Sequence, residues 1–326
     1  MFKIFNRMAL SLVGAVAVTA AVGAEQAHAE WPEGNLRLIV PYTPGGTSDN
    51  AARAIIPALE DILDVSITVE NIGGAGGTIG MNRLALAKAD GSIFGFTPNA
   101  TLTIAPNMHA VAYDPLQDIQ AVAKAAVAIG SLAVRPDFSA DTMEGLVTYM
   151  KEHPGEVSFG SAGVGSTTHL YVELLKDATG TDATHIPFKG SNEAVNSLLG
   201  GHIDALFDYS PLLSQGQAGA VKTLAVLKDD RWDGLPDIPT IAEAGYGDLQ
   251  SIIWYGFVAP AGIPDEALDG MQKAVAEAVQ REDTLERFAT LGLVADFADP
   301  DDFGEQLRRD HDFFAKTLER LNLVQK

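Results

Sequence analysis

The stretch "LRLIVPYTPGGTSDNAARAIIPALEDIL", residues 36–63, decides how the chain is read. Residues 36–42 are a dense apolar run of the kind a strand covered on both faces carries. Residues 48–63 instead repeat apolar side chains at helical spacing, with Pro57 as a point of kinking. Between them Pro44-Gly45-Gly46 makes a tight turn, and Thr47, Ser48 or Asp49 stands where a helix N-cap belongs. Strand, glycine turn and helix in succession form the first half of a βαβ unit.

The same rhythm runs outward from there. Strands are predicted at 65–71 and 92–98 around a helix over 78–88. The pattern resumes with a helix over 141–155, Asp141 as N-cap and Glu144 completing a capping box. A strand at 156–162 and a helix over 166–180, stopped by Gly180, follow. Further strands are expected at 183–188, 202–208, 221–227 and 251–260. Near the C-terminus Leu268, Met271, Val275 and Val279 share one helical face, and Phe303, Leu307, Phe314, Leu318 and Leu321 another. Together these imply an α/β protein with parallel sheets covered by helices.

The N-terminus reads as an export leader. Lys3 and Arg7 precede the apolar run 8–24, and Ala27-His28-Ala29 fits a small-x-small cleavage site, which predicts a signal peptide over 1–29. The alternative, an uncleaved anchor, fits less well because the apolar core is short for a span. There is no cysteine, so neither a disulfide framework nor a lipid-bearing thiol is available, which suits the periplasm. Roughly 300 residues remain after the leader, enough for two domains. The formal charge of −21 disfavours nucleic acid and anionic lipid but not a small anion held by local donors.

Two turns carry the chemistry. "YTPGGTSDN" (42–50) and "GSAGVGSTTHL" (160–170) each deliver a glycine-rich turn to a helix N-terminus, where unpaired N–H groups and the helix dipole favour an anion. The second nearly spells a phosphate-binding loop, but Ser166 stands where that loop needs lysine. A neutral cradle suits a carboxylate better than a nucleotide with its metal. "ENIGGAGGTIG" (70–80) misses the dinucleotide spacing by one residue and reads as a turn needing positive φ. No nucleophile elbow, zinc motif or thiol is present. His169 lies one turn past the glycines and could reach a ligand or satisfy a core hydrogen bond. Asp49 and Asp208 read as supports of the cleft, since an anion repels them. Asn99, Thr101 and Tyr209 are neutral polar candidates at strand ends, whereas Trp254 and Tyr255 read as sheet packing.

Taken in order, the leader, "WPEGNLRLIVPYTPGGTSDNAAR", "VENIGGAGGTIG", "FGSAGVGSTTHL", "IPFKGSNEAVNSLLGGHIDALFD", "VKTLAVLKDDRWDGLPDIPTIAEAGY" and "WYGFVAPAGIP" resemble the periplasmic substrate-binding proteins of tripartite tricarboxylate transporters, the Bug family. The resemblance spans essentially the whole mature chain. It implies a type II periplasmic-binding-protein fold: two α/β lobes around a ligand cleft, with the chain crossing between lobes near 130 and near 250. Lobe 1 would be 30–131 plus 252–326, and lobe 2 would be 132–251.

It implies a small organic carboxylate as ligand and a membrane permease as partner, with no enzyme activity, no cofactor, no metal and a monomeric state. By the family's Pro-Gly-Gly-x-x-Asp pattern the first ligand loop is Gly45, Gly46, Thr47 and Asp49. By Gly-Ser-x-Gly-x-Gly-Ser the second is Ser161, Gly163, Gly165, Ser166 and Thr167. Asp208 matches the acid that closes the "IDALFD" strand. Tyr42, Asn99, His169, Phe188 and Tyr209 complete the expected binding set. Phe188 replaces a common tyrosine, and Ser166-Thr167-Thr168 replaces a frequent Ser-Gly pair, so both bear on which acid fits. A ligand-binding sensor for a membrane signalling protein, or an exported hydrolase, remains the alternative.

Overall fold

The computed structural model describes residues 31–324 except 229 and 250–252, so the leader expected at 1–29 lies outside the described residues. The chain begins β1 (Leu36–Val40), α1 (Thr47–Leu63), β2 (Ile67–Asn71), α2 (Thr78–Ala85), β3 (Ile93–Pro98), α3 (Ala100–Thr103), α4 (Ala105–Met108) and β4 (Ile119–Ala128). It continues β5 (Gly130–Val134), α5 (Met143–Glu152), β6 (Ser158–Ser161), α6 (Thr167–Thr179), β7 (Thr184–Pro187), α7 (Ser191–Leu199), β8 (Ala205–Asp208), α8 (Ser210–Gln217) and β9 (Lys222–Leu227). It ends β10 (Trp254–Pro260), α9 (Asp265–Ala278), α10 (Glu282–Thr290), β11 (Leu293–Ala298) and α11 (Pro300–Arg320).

Two sheets result. One has six strands in the order β11-β4-β10-β3-β1-β2, the other five in the order β7-β6-β8-β5-β9. The expectation of parallel sheets needs correction. β1 pairs in parallel with β2 and β3, and β6 with β7 and β8, but β10, β4, β11, β5 and β9 all pair antiparallel. The reason is the route of the chain. β4 runs straight on into β5, and only Ile129 separates the first sheet from the second. The chain returns between Leu227 and Trp254, and β10 inserts between β3 and β4. In each sheet the βα turns at the ends of the parallel strands carry the glycine-rich loops, which is where open α/β sheets bind ligands.

Burial follows the apolar faces read from the sequence. Leu38, Val40, Phe94, Phe96, Phe257, Ile55 and Leu59 form one core, with Phe96 stacked on Tyr255 at 5.8 Å. Phe303, Leu307, Phe314 and Leu318 are the buried stripe of α11. The cap expected at Asp141 belongs to its neighbour. Thr142 holds the extended N-cap conformation and its Oγ1 accepts from Gly145 N at 3.1 Å, while Asp141 accepts from Lys222 Nζ at 2.5 Å. Among the described residues no helix is long and apolar enough to cross a membrane.

Candidate ligand site

Three helices, α1, α6 and α7, open with their N-terminal residues on one narrow cavity. Gly46, Thr47 and Ser48 open α1 on one wall, and Ser166, Thr167 and Thr168 open α6 on another. Ser191 contributes from the start of α7, and Tyr42, Tyr209 and Tyr255 add aromatic walls with Pro98, Ala162 and Ile253. Among the described residues no charged side chain lines it.

The N-termini differ in how their N–H groups are used. Gly46 caps α1 with no side chain, so the N–H groups of Thr47 and Ser48 take no protein acceptor among the described residues. None of Thr47, Ser48 or Asp49 is the side-chain cap that the sequence suggested. In α6 the Ser166 hydroxyl accepts from His169 N at 3.2 Å and donates to Gly163 O at 2.7 Å. The N–H groups of Thr167 and Thr168 stay unpaired.

The glycine amides are committed elsewhere. Gly45 N donates to Asp49 Oδ2 at 2.9 Å, Gly163 N to Ser161 Oγ at 3.1 Å and Gly165 N to His169 Nδ1 at 3.3 Å. Gly45, Gly163 and Gly165 therefore shape the loops through φ values of 78°, 120° and 79°. At α1 and α6 the donors left for a ligand are the first backbone N–H groups of the helix.

Other expected site residues act from behind the wall. Asp49 binds Arg53 Nε at 2.9 Å and Asn71 Nδ2 at 3.0 Å. Burial pushes its carboxyl up, but Arg53, Gly45 and Asn71 outweigh this and hold it below the usual range. Asn99 accepts from the Thr167 hydroxyl at 3.4 Å across the two halves. His169 stacks on His185 with centroids 4.0 Å apart and does not line the cavity. Burial pulls both imidazoles down to about 4, so the pair is neutral at ordinary pH. Ser161 Oγ sits 2.6 Å from His185 Nε2, but it is fully buried and turned from the cavity, so the pair braces the loop. Phe188 packs against the cluster around Ile203 and Leu206. The reading of "GGAGG" as a backbone turn holds: Gly74, Gly76 and Gly77 all have positive φ. Gly76 lies so close to the second loop that a Cβ there would clash with Val164 O.

Asp208 is the most perturbed acid of the site. It is 1% exposed. Its Oδ1 accepts from Tyr209 N at 2.7 Å and from the Thr47 hydroxyl at a long 3.4 Å, linking the two halves. Burial raises its carboxyl to about 6, only partly offset by Tyr209 N–H, Ser191 and Thr47. Burial, with Asp208 beside them, also pushes the Tyr42 and Tyr255 hydroxyls well up.

Sequence reasoning missed Ser191 and Tyr255. The cue for Ser191 was its place just after Gly190, between the strands expected at 183–188 and 202–208, where α7 begins. Tyr255 does pack in the sheet, as read, and also presents an edge to the cavity.

The model of the tripartite tricarboxylate transporter family receptor matches residues 51–307. BugT of Bordetella pertussis is 32% identical over 295 residues, 90% of each chain. The periplasmic binding protein BugD superposes with a TM-score of 0.87 at 29% identity, over 91% of this chain and all of its own. MatC from Rhodopseudomonas palustris, solved with bound malate, superposes with a TM-score of 0.83 at 27% identity, over 88% of this chain and 99% of that one. This chain's two mixed sheets, one to each lobe, thus form the two-lobed fold of a periplasmic binding protein. By sequence along most of its length and by fold, the chain belongs to the tripartite tricarboxylate transporter receptor family.

Proposed function

We propose that this protein is a periplasmic receptor that closes its two lobes on a small organic carboxylate and delivers it to a tripartite tricarboxylate-type permease. The observation that carries this reading is the convergence of the unpaired Thr47, Ser48, Thr167 and Thr168 N–H groups on one cavity with no charged lining. A carboxylate supplies up to four acceptor positions, and each helix N-terminus adds the equivalent of about half a positive charge. Malate in the related MatC supports an organic acid as the ligand class. In this reading residues 1–29 are removed on export, lobe 1 is 30–131 plus 252–326, and lobe 2 is 132–251. Closure brings Thr47 toward Asp208 and Asn99 toward Thr167, and expulsion of water strengthens each amide-to-carboxylate bond. The permease recognises the closed form because the ligand shifts the population toward it. Relatives in the family are receptors, and the Ser161–His185 pair gives no support to hydrolysis because it faces away from the cavity.

The test is a thermal-shift and calorimetric screen of mature protein against aliphatic and aromatic mono- and dicarboxylates, malate included. A saturable shift with one or a few acids is expected, with no turnover of the bound acid over hours. A flat response across the panel would refute the reading.

A further inference from the structure

Asp208 stands directly behind the uncharged wall of the cavity. Three lining residues touch or flank it: Thr47 and Tyr209, which donate to Oδ1, and Ser191, which lies close enough to favour the ionised form without satisfying Oδ2. Oδ2 is sealed from solvent and has no hydrogen-bond partner among the described residues. The titratable groups facing it are Tyr42 from the loop after β1, Tyr209 after β8 and Tyr255 from β10, all buried and neutral. On α1 the next acid, Asp49, is neutralised by Arg53. No lysine, arginine or histidine contributes to the electrostatics of Asp208.

A ligand carboxylate at the N-termini of α1 and α6 would put a second negative charge beside this carboxyl in a dry cleft without a cation. Two like charges so placed do not both persist, and the pair retains one proton. Resting on the receptor reading above, we propose that this protein binds its acid together with one proton, held on Asp208 Oδ2, in place of a protein cation. The proton comes from bulk water on loading and returns to it on release. Asp208 thereby sets the net charge of what is bound, and a ligand that places a second ionised group beside it is rejected.

The experiment is isothermal titration of the mature protein near pH 7.5 in phosphate and in Tris, whose ionisation heats differ. Malate is the first probe, followed by the other acids of the panel until one binds. The expected result is buffer-dependent heat equivalent to close to one proton taken up per acid. Affinity should fall nearly tenfold for each pH unit above neutrality. Asp208→Asn should abolish both dependences. Carboxyl-carbon NMR of the wild type, free and loaded, gives the same answer should the variant not fold: one aspartate carboxyl passes from ionised to protonated. Equal heats in both buffers, or uptake that survives in Asp208→Asn, would overturn the proposal and leave the receptor reading standing. Failure of every acid to bind would remove the receptor reading and this inference with it.

Discussion

Asp49 and Asp208 are buried aspartates beside the same cleft, and their surroundings drive them apart. Asp49 has a guanidinium and two amide donors, so it stays ionised. Asp208 has one good donor, one long one and an unpartnered oxygen, so burial dominates and lifts it to about 6 from 3.8. Between about pH 4 and pH 6 the folded state therefore holds a proton on Asp208 that the unfolded chain has released. That contribution to stability is complete below about pH 4 and is lost as pH rises through about 6. Urea unfolding of wild type and Asp208→Asn should show a stability difference that moves by about 2 kcal/mol in favour of the variant between pH 4 and pH 7. His169 and His185 titrate with the opposite sign, their stability being lost as pH falls toward about 4, but they cancel in the comparison. A difference that stayed constant with pH would mean that Asp208 ionises normally. Thr47 is 3% exposed and lines the cavity. Thr47→Trp fills the space before the α1 N-terminus and should lower acid affinity at least about a hundredfold, roughly 3 kcal/mol. Its melting temperature should stay within a few degrees of wild type, and an unchanged affinity would remove Thr47 from the site.

The helices of the site are built for different ends. α6 is capped by a side chain that also ties the loop to itself through Gly163 O. Ser166→Ala should cost about 1 kcal/mol in chemical denaturation. α1 has glycine at its cap, so its stability rests on burial of Ala51, Ile55, Ala58 and Leu59 and its first amides remain available. The loops also have to meet. Gly76 has a φ of 64°, and an added Cβ would clash with the backbone oxygen of Val164. Gly76→Ala should weaken ligand affinity by about tenfold or more, because the clash falls on the closed contact and each factor of ten is only about 1.4 kcal/mol. Far-ultraviolet circular dichroism should be unaltered. Full affinity in this variant would show that the two loops need not touch when ligand is held. The caps were partly legible in advance. Ser166 follows a glycine turn and opens an amphipathic helix, which is the pattern of a capping serine. Thr142 was passed over for Asp141 because both are good cap residues one position apart, and only φ and ψ decide between them.

At the scale of the whole molecule, what the sequence determined by itself is local. Dense apolar runs at 36–40, 93–98 and 254–260 had to be covered strands, and glycine turns before amphipathic segments had to open helices. β4, β5 and β11 escaped notice because "IQAVAKAAVA", "GSLAV" and "LVADFA" carry many small side chains and weak alternation, which suit a helix or a strand equally. Those strands make both sheets mixed and carry the first crossing, so strand direction was set by which neighbours were available and not by any local signal. The same division holds at the site. Both glycine loops were readable, as was their preference for an anion without lysine or metal. Only the tertiary structure decided that the glycine amides turn inward to Asp49, Ser161 and His169, leaving the first amides of α1 and α6 for the cavity. It alone brought Ser191 and Tyr255 to that cavity and sealed Asp208 behind it. Hydrogen-bond partners and burial are relations between distant segments, and a chain's local pattern does not encode which donors such contacts will consume.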